Sequence, residues 1–212
     1  TMKPSKYSTI CAISSGLTNL IVWTGYDAHV FIVESVLHSV NGREPERIGP
    51  HDGYYGLAVS NVFFMLSTVA VPILMKYLRC KWVLTISAAF FGLYFLSFQL
   101  MNRILFFTAC AILGMAFSSF NIGFSGYLTE FSTKQTLERN QALAWSFTCC
   151  SVASSGVVNA IITTLNLQSG IDVKYRTYSD GEIRIFFGVF SLLSFIGMFM
   201  FASLPNREVR NN

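Results

Sequence analysis

Tyr54-Tyr-Gly-Leu-Ala-Val-Ser-Asn-Val-Phe-Phe-Met-Leu-Ser-Thr-Val-Ala-Val-Pro-Ile-Leu-Met75 contains no charged residue. A helix crosses a bilayer with about 20 mostly apolar residues, because it satisfies its own amides and carbonyls where no water can. This run meets that requirement, and so do stretches near Thr9–Glu34, Trp82–Met101, Ile104–Tyr127, Gln141–Leu165 and Ile185–Leu204. The expected fold is all-α: a polytopic membrane protein of six transmembrane helices forming a single domain over residues 1–212.

Composition agrees. Apolar residues make up 52% of the chain, charged residues only 12%, and the mean hydropathy is +0.49. That balance is far from the soluble one. The formal charge of +4 is carried in the connections rather than on one amphipathic face, so it does not imply nucleic-acid binding.

With the N-terminus in the cytoplasm, Lys3, Lys6, Lys76, Arg79, Lys81, Lys134, Arg139, Arg207 and Arg210 fall inside, together with Glu130, Glu138 and Glu208. Arg43, Arg47, Arg103, Lys174, Arg176 and Arg184 fall outside. The larger share of cations on the first face predicts that both termini are cytoplasmic.

The long connections follow the first and fifth helices. Asn41-Gly-Arg-Glu-Pro-Glu-Arg-Ile-Gly-Pro50 and the segment around Gly170 and Asp180-Gly181 read as solvated loops on one outer face. Cys11, Cys110, Cys149 and Cys150 lie within spans and Cys80 at a cytoplasmic turn, so no disulfide is expected. The basic start Met2-Lys3-Pro4-Ser5-Lys6 precedes an apolar stretch too long and too polar for a signal peptide. Residue 1 is Thr, so the numbering need not begin at the biological start.

Small residues recur four apart in the fourth and fifth helices: Gly114 with Ser118, Ser119 with Gly123, and Ala142, Ser146, Cys150 and Ser154. Such stripes let helix backbones approach closely; lining a substrate cavity is the alternative.

The first span carries the unusual polar residues. At about 100° per residue, Thr24, Asp27, Glu34 and His38 share a sector, whereas His29 points elsewhere. A carboxylate at the depth of Asp27 costs about 2.5–3.5 kcal/mol on the insertion scale, so it needs a partner, a wet path or a proton. It is either a relay or substrate contact, or a buried helix-to-helix hydrogen bond. Glu34 and His38 lie closer to the interface. Asn121, in mid-span, is expected to bond a neighbouring helix or face a cavity. Glu138 and Arg139 are read as a cap on the fifth helix or a cytoplasmic gate.

No phosphate loop, zinc-protease helix, nucleophile elbow or intramembrane aspartate pair is present, and no metal-ligand spacing. Neither a potassium filter nor an Arg-rich voltage sensor occurs. The chain is read as a non-enzyme without a cofactor.

Several motifs carry a family resemblance: His51-Asp-Gly-Tyr-Tyr-Gly-Leu-Ala-Val59, Leu113-Gly-Met-Ala116, Gly126-Tyr-Leu-Thr129, and Glu138-Arg139-Asn140 followed by Trp145 and Gly156. In order and spacing they resemble the Unc-93-like branch of the major facilitator superfamily. The run Phe31-Ile-Val-Glu34-Ser35-Val-Leu-His38-Ser39-Val resembles invertebrate members.

The resemblance implies twelve helices in two halves, of which this chain is similar to the first; the C-terminal half would be a missing partner. Two features depart from the wider superfamily. The turn Met75-Lys76-Tyr-Leu-Arg79-Cys-Lys81 lacks the usual Gly and Asp, and Phe120-Asn121 stands where many relatives have Trp. Both weigh against proton-coupled transport.

Relatives include regulators of a two-pore potassium channel and escorts of innate immune receptors. The implied function is therefore regulation or escort of another membrane protein, a potassium channel subunit being the expected partner. A solute transporter using Asp27 is the alternative, and a nonfunctional half-length product is a third reading.

Overall fold

A computed structural model describes residues 4–165 and 177–206. Lys3, Gly170, Lys174, Arg176, Arg207, Glu208 and Arg210 lie outside the described residues, and with them part of the charge count and of the second outer loop.

Six α-helices follow one another: α1 (Pro4–Arg43), α2 (Asp52–Leu74), α3 (Cys80–Ser97, continued by a 3₁₀ turn over Phe98–Leu100), α4 (Arg103–Phe131), α5 (Leu137–Leu165) and α6 (Asp180–Ser203). Each is long and apolar enough to cross a membrane, so the chain is a six-helix polytopic membrane protein.

Two ends differ from the sequence reading. Asn41, Gly42 and Arg43 belong to α1 rather than to a loop. The Asn41 amide donates to the Ile48 carbonyl at 2.6 Å, and Ile48 is fully buried, so this connection folds back onto the bundle instead of lying in solvent. At the other end of the chain, Asp180 and Gly181 open α6. Ser179 and Glu182 form a reciprocal capping box there, with Ser179 N–H donating to Glu182 Oε2 at 2.8 Å and Glu182 N–H donating to Ser179 Oγ at 3.3 Å.

The principal packing pairs are α2 with α4, α4 with α3, α3 with α6, α6 with α1, and α1 with α5. Lipid is as apolar as leucine, so these contacts depend on close fit and on polar bonds. The α2–α4 crossing shows the fit: a Cβ on Gly114 would fall on the Ser60 carbonyl oxygen, and one turn further Ser118 Oγ lies 3.0 Å from Thr68 Oγ1. The Gly114 and Ser118 pair therefore serves tight helix packing. At the α1–α6 crossing a Cβ on Gly197 would strike Val22.

An aromatic core fills the space between α1, α3, α4 and α6. Phe98 and Phe187 stack with centroids 3.8 Å apart, Phe190 meets Phe187 edge to face, and the pairs Phe95 with Phe190 and Phe91 with Phe120 repeat that edge-to-face arrangement. The outer helices are different. Only 6% of the most apolar window of α2, and 22% of that of α5, is buried within the chain.

Candidate functional site

The most polar helix contact is the seam between α1 and α5. From one end to the other, Asn140 Nδ2 donates to Ser8 Oγ at 2.6 Å, Asn19 Nδ2 to Thr148 Oγ1, Ser151 Oγ to Asp27 Oδ2, and Asn159 Nδ2 to the Ala28 carbonyl at 2.9 Å. On α5 these residues recur on one face at helical spacing. Each bond removes a polar group from contact with hydrocarbon, where it would otherwise be costly. Arg139 extends the seam, its guanidinium donating to Thr9 Oγ1 at 2.8 Å.

Asp27 therefore has a cross-helix partner, but the sector expected on α1 is not one site. Thr24 Oγ1 donates to its own helix at the Leu20 carbonyl, 2.7 Å away. Glu34 is exposed and lies 3.5 Å from the Tyr54 hydroxyl of α2. His38 is also exposed. Asn121 bonds its own helix, Nδ2 donating to the Phe117 carbonyl at 2.9 Å, because the carbonyl one turn back is within its reach. Glu138 is exposed in the first turn of α5, where its charge complements the helix N-terminus. Arg139, beside it, joins α1 as described.

Ser151, Thr148, Asn19 and Asn159 were not singled out in the sequence. Serine and threonine are common in membrane helices, and only the pairing of α1 with α5 distinguishes these. His29 was also passed over. It is buried, its Nε2 lies 2.8 Å from the Tyr94 hydroxyl, and the rings of Tyr26, Phe95, Phe98 and Phe187 enclose it.

The small-residue stripe of α5 behaves unlike that of α4. Ala142, Ser146 and Cys150 are exposed and Ser154 half-buried, and the two serines bond only their own backbone. Among the described residues the serines of this stripe make no hydrogen bond to another helix.

Charges are arranged unequally at the two ends of the bundle. At the end holding the α1–α2 and α5–α6 connections, Asp180 bridges Arg43 and Arg47, the latter at 3.0 Å, and Arg47 also donates to the Met101 carbonyl at 3.2 Å. Bonding to Asp180 raises the Arg47 guanidinium above its ordinary range. Arg103 pairs at 3.1 Å with Asp52, whose buried carboxylate also accepts from Gly49 N–H at 2.7 Å. At the opposite end, the Cys80 thiol donates to Glu130 Oε1 at 3.0 Å.

All five cysteines carry free thiols, and no group of metal-ligating side chains occurs among the described residues.

No curated protein sequence matches the chain. The sequence pattern described as "Ion channel regulatory protein UNC-93" matches residues 44–212, spanning α2 through α6. The chain belongs to the UNC-93 family of ion channel regulatory proteins.

Proposed function

We propose that the chain is a non-enzymatic regulator or escort of an ion channel, and that its partner is a potassium channel subunit. The observation that carries this reading is the family match over residues 44–212. The geometry supports it: α5 presents Ala142, Ser146, Cys150 and the open position Gly156 outward, where a Cβ would meet nothing within 4 Å. A face of small residues suits close approach by a helix of another protein. On this reading the six helices form the first half of a twelve-helix facilitator fold, whose other half also packs against this chain, and both termini are cytoplasmic.

The test is co-expression with a tagged potassium channel, followed by purification in mild detergent and current recording. Stoichiometric recovery with the channel and an altered current are expected. Recovery of the chain alone, with an unchanged current, would overturn the proposal.

One observation favours a second reading. Asp27 holds a carboxylate half-buried in the α1–α5 seam, at a depth where acidic side chains commonly serve translocation. A facilitator-type transporter of an unidentified solute would then lose uptake in the Asp27→Asn variant of the full-length protein.

A further inference from the structure

The two ends of the bundle differ in how their cations are neutralised. Arg43, Arg47 and Arg103 each pair with a carboxylate. At the other end Lys76, Arg79 and Lys81 surround the turn from α2 into α3, and none of them forms an ion pair among the described residues. Lys6, Lys134 and Arg139 at the same end form no ion pair either.

Lys81 is the unusual member. It is only 8% exposed, yet its ammonium has no acid partner and sits 5.4 Å from the centre of the Trp82 ring. The Lys81 stem is buried, and its ammonium, resting over an aromatic face with no acid partner, remains able to bind an anion. Trp82 is 44% exposed and Tyr77 83% exposed, the amphipathic rings that favour the headgroup level of a bilayer. Arg79 caps α3 with no side-chain bond to the first-turn amides, so the positive end of an 18-residue helix opens into the same cluster.

We propose that this turn holds the phosphate of an anionic phospholipid headgroup, with Lys76, Arg79 and Lys81 supplying the charge, the start of α3 supplying N–H donors, and Trp82 fixing the depth. A lipid fits better than a soluble anion because the cations are flanked by exposed apolar side chains, Leu74 and Tyr77, at the end of a helix bare to its surroundings. The inference is independent of which channel the protein regulates.

The test is to place the full chain in nanodiscs of phosphatidylcholine with graded phosphatidylserine, and to count retained lipids by native mass spectrometry after extraction. Each cation near an anionic surface contributes about a five-fold gain in partition, so neutralising three weakens retention about a hundred-fold.

Lys76→Gln/Arg79→Gln/Lys81→Gln is expected to lose bound phosphatidylserine, and Arg184→Gln, at the opposite end, to keep it. If the triple variant does not fold, Lys76→Gln/Arg79→Gln, which alters exposed positions only, is expected to weaken retention about twenty-five-fold. Equal retention of phosphatidylserine by variant and parent would overturn the proposal, as would a parent chain that retains phosphatidylcholine as readily as phosphatidylserine. Displacement of the lipid by millimolar inorganic phosphate would overturn its membrane source. A variant that keeps its lipids but loses a co-expressed channel would instead assign the cluster to an acidic protein segment.

Discussion

Ser151 Oγ on α5 donates a hydrogen bond to Asp27 Oδ2 on α1, joining the chain's most deeply placed membrane carboxylate to a residue 124 positions away. The bond gives Asp27 a structural role whether or not it also has a transport role, and the two separate by substitution. Ser151→Ala removes the donor and leaves the carboxylate unpaired, which is expected to destabilise the detergent-solubilised chain by about 1 kcal/mol. Asp27→Asn retains an oxygen that accepts from Ser151 and is expected to cost less. Thermal unfolding of both single variants and the double variant measures the coupling; additive effects would show that the two side chains do not interact.

The same substitution bears on function. In the regulator reading, Asp27→Asn leaves the channel current as the parent chain sets it. In the transporter reading it abolishes uptake. Recording both quantities in one cell line separates the readings, because a variant that fails to fold would lose both.

His29 and Tyr94 form a second buried pair, at 2.8 Å between α1 and α3. Tyr94→Phe leaves an imidazole nitrogen among phenyl rings without its partner and is expected to cost about 1–3 kcal/mol. His29→Phe with Tyr94→Phe removes both polar groups and is expected to be milder than Tyr94→Phe alone, provided the larger ring fits. Unfolding temperature in detergent checks the ordering, and a double variant worse than both singles would refute it.

How much of this was legible in the sequence follows from the range of each signal. The six spans were legible because apolar length is a local property, and Tyr54–Met75 alone requires a bilayer or a large core. The ends were harder. α1 runs 40 residues because Asn41 and Gly42, ordinary turn formers, are held helical while the chain folds back onto Ile48. The start of α6 was readable in principle: Ser179-Asp-Gly-Glu182 carries the spacing of a capping box, and the Asp-Gly pair inside it drew attention instead. Asp27 stood out because a charge in a membrane span is rare. Its partner did not, since nothing local marks Ser151 apart from the other serines of α5. His29 drew no role for a related reason. Helical projection showed that it left the Asp27 sector, but not that α3 and α6 would meet it there.

Glycines at two crossings give opposite predictions. Gly114 meets the backbone of Ser60, so even Gly114→Ala forces α2 away from α4 and is expected to cost about 1–3 kcal/mol. Gly156 meets nothing within 4 Å, so Gly156→Leu is expected to leave the stability of the isolated chain unchanged or slightly raised through better helix propensity. Its effect should appear only in the complex. If the exposed face of α5 is where a channel helix approaches, a leucine there fills the space that close approach requires, and co-purification of the channel falls while unfolding temperature does not. Leucine at Gly156 that leaves channel recovery intact would remove α5 from the contact and leave α2, the other helix bare to its surroundings, as the face to probe next.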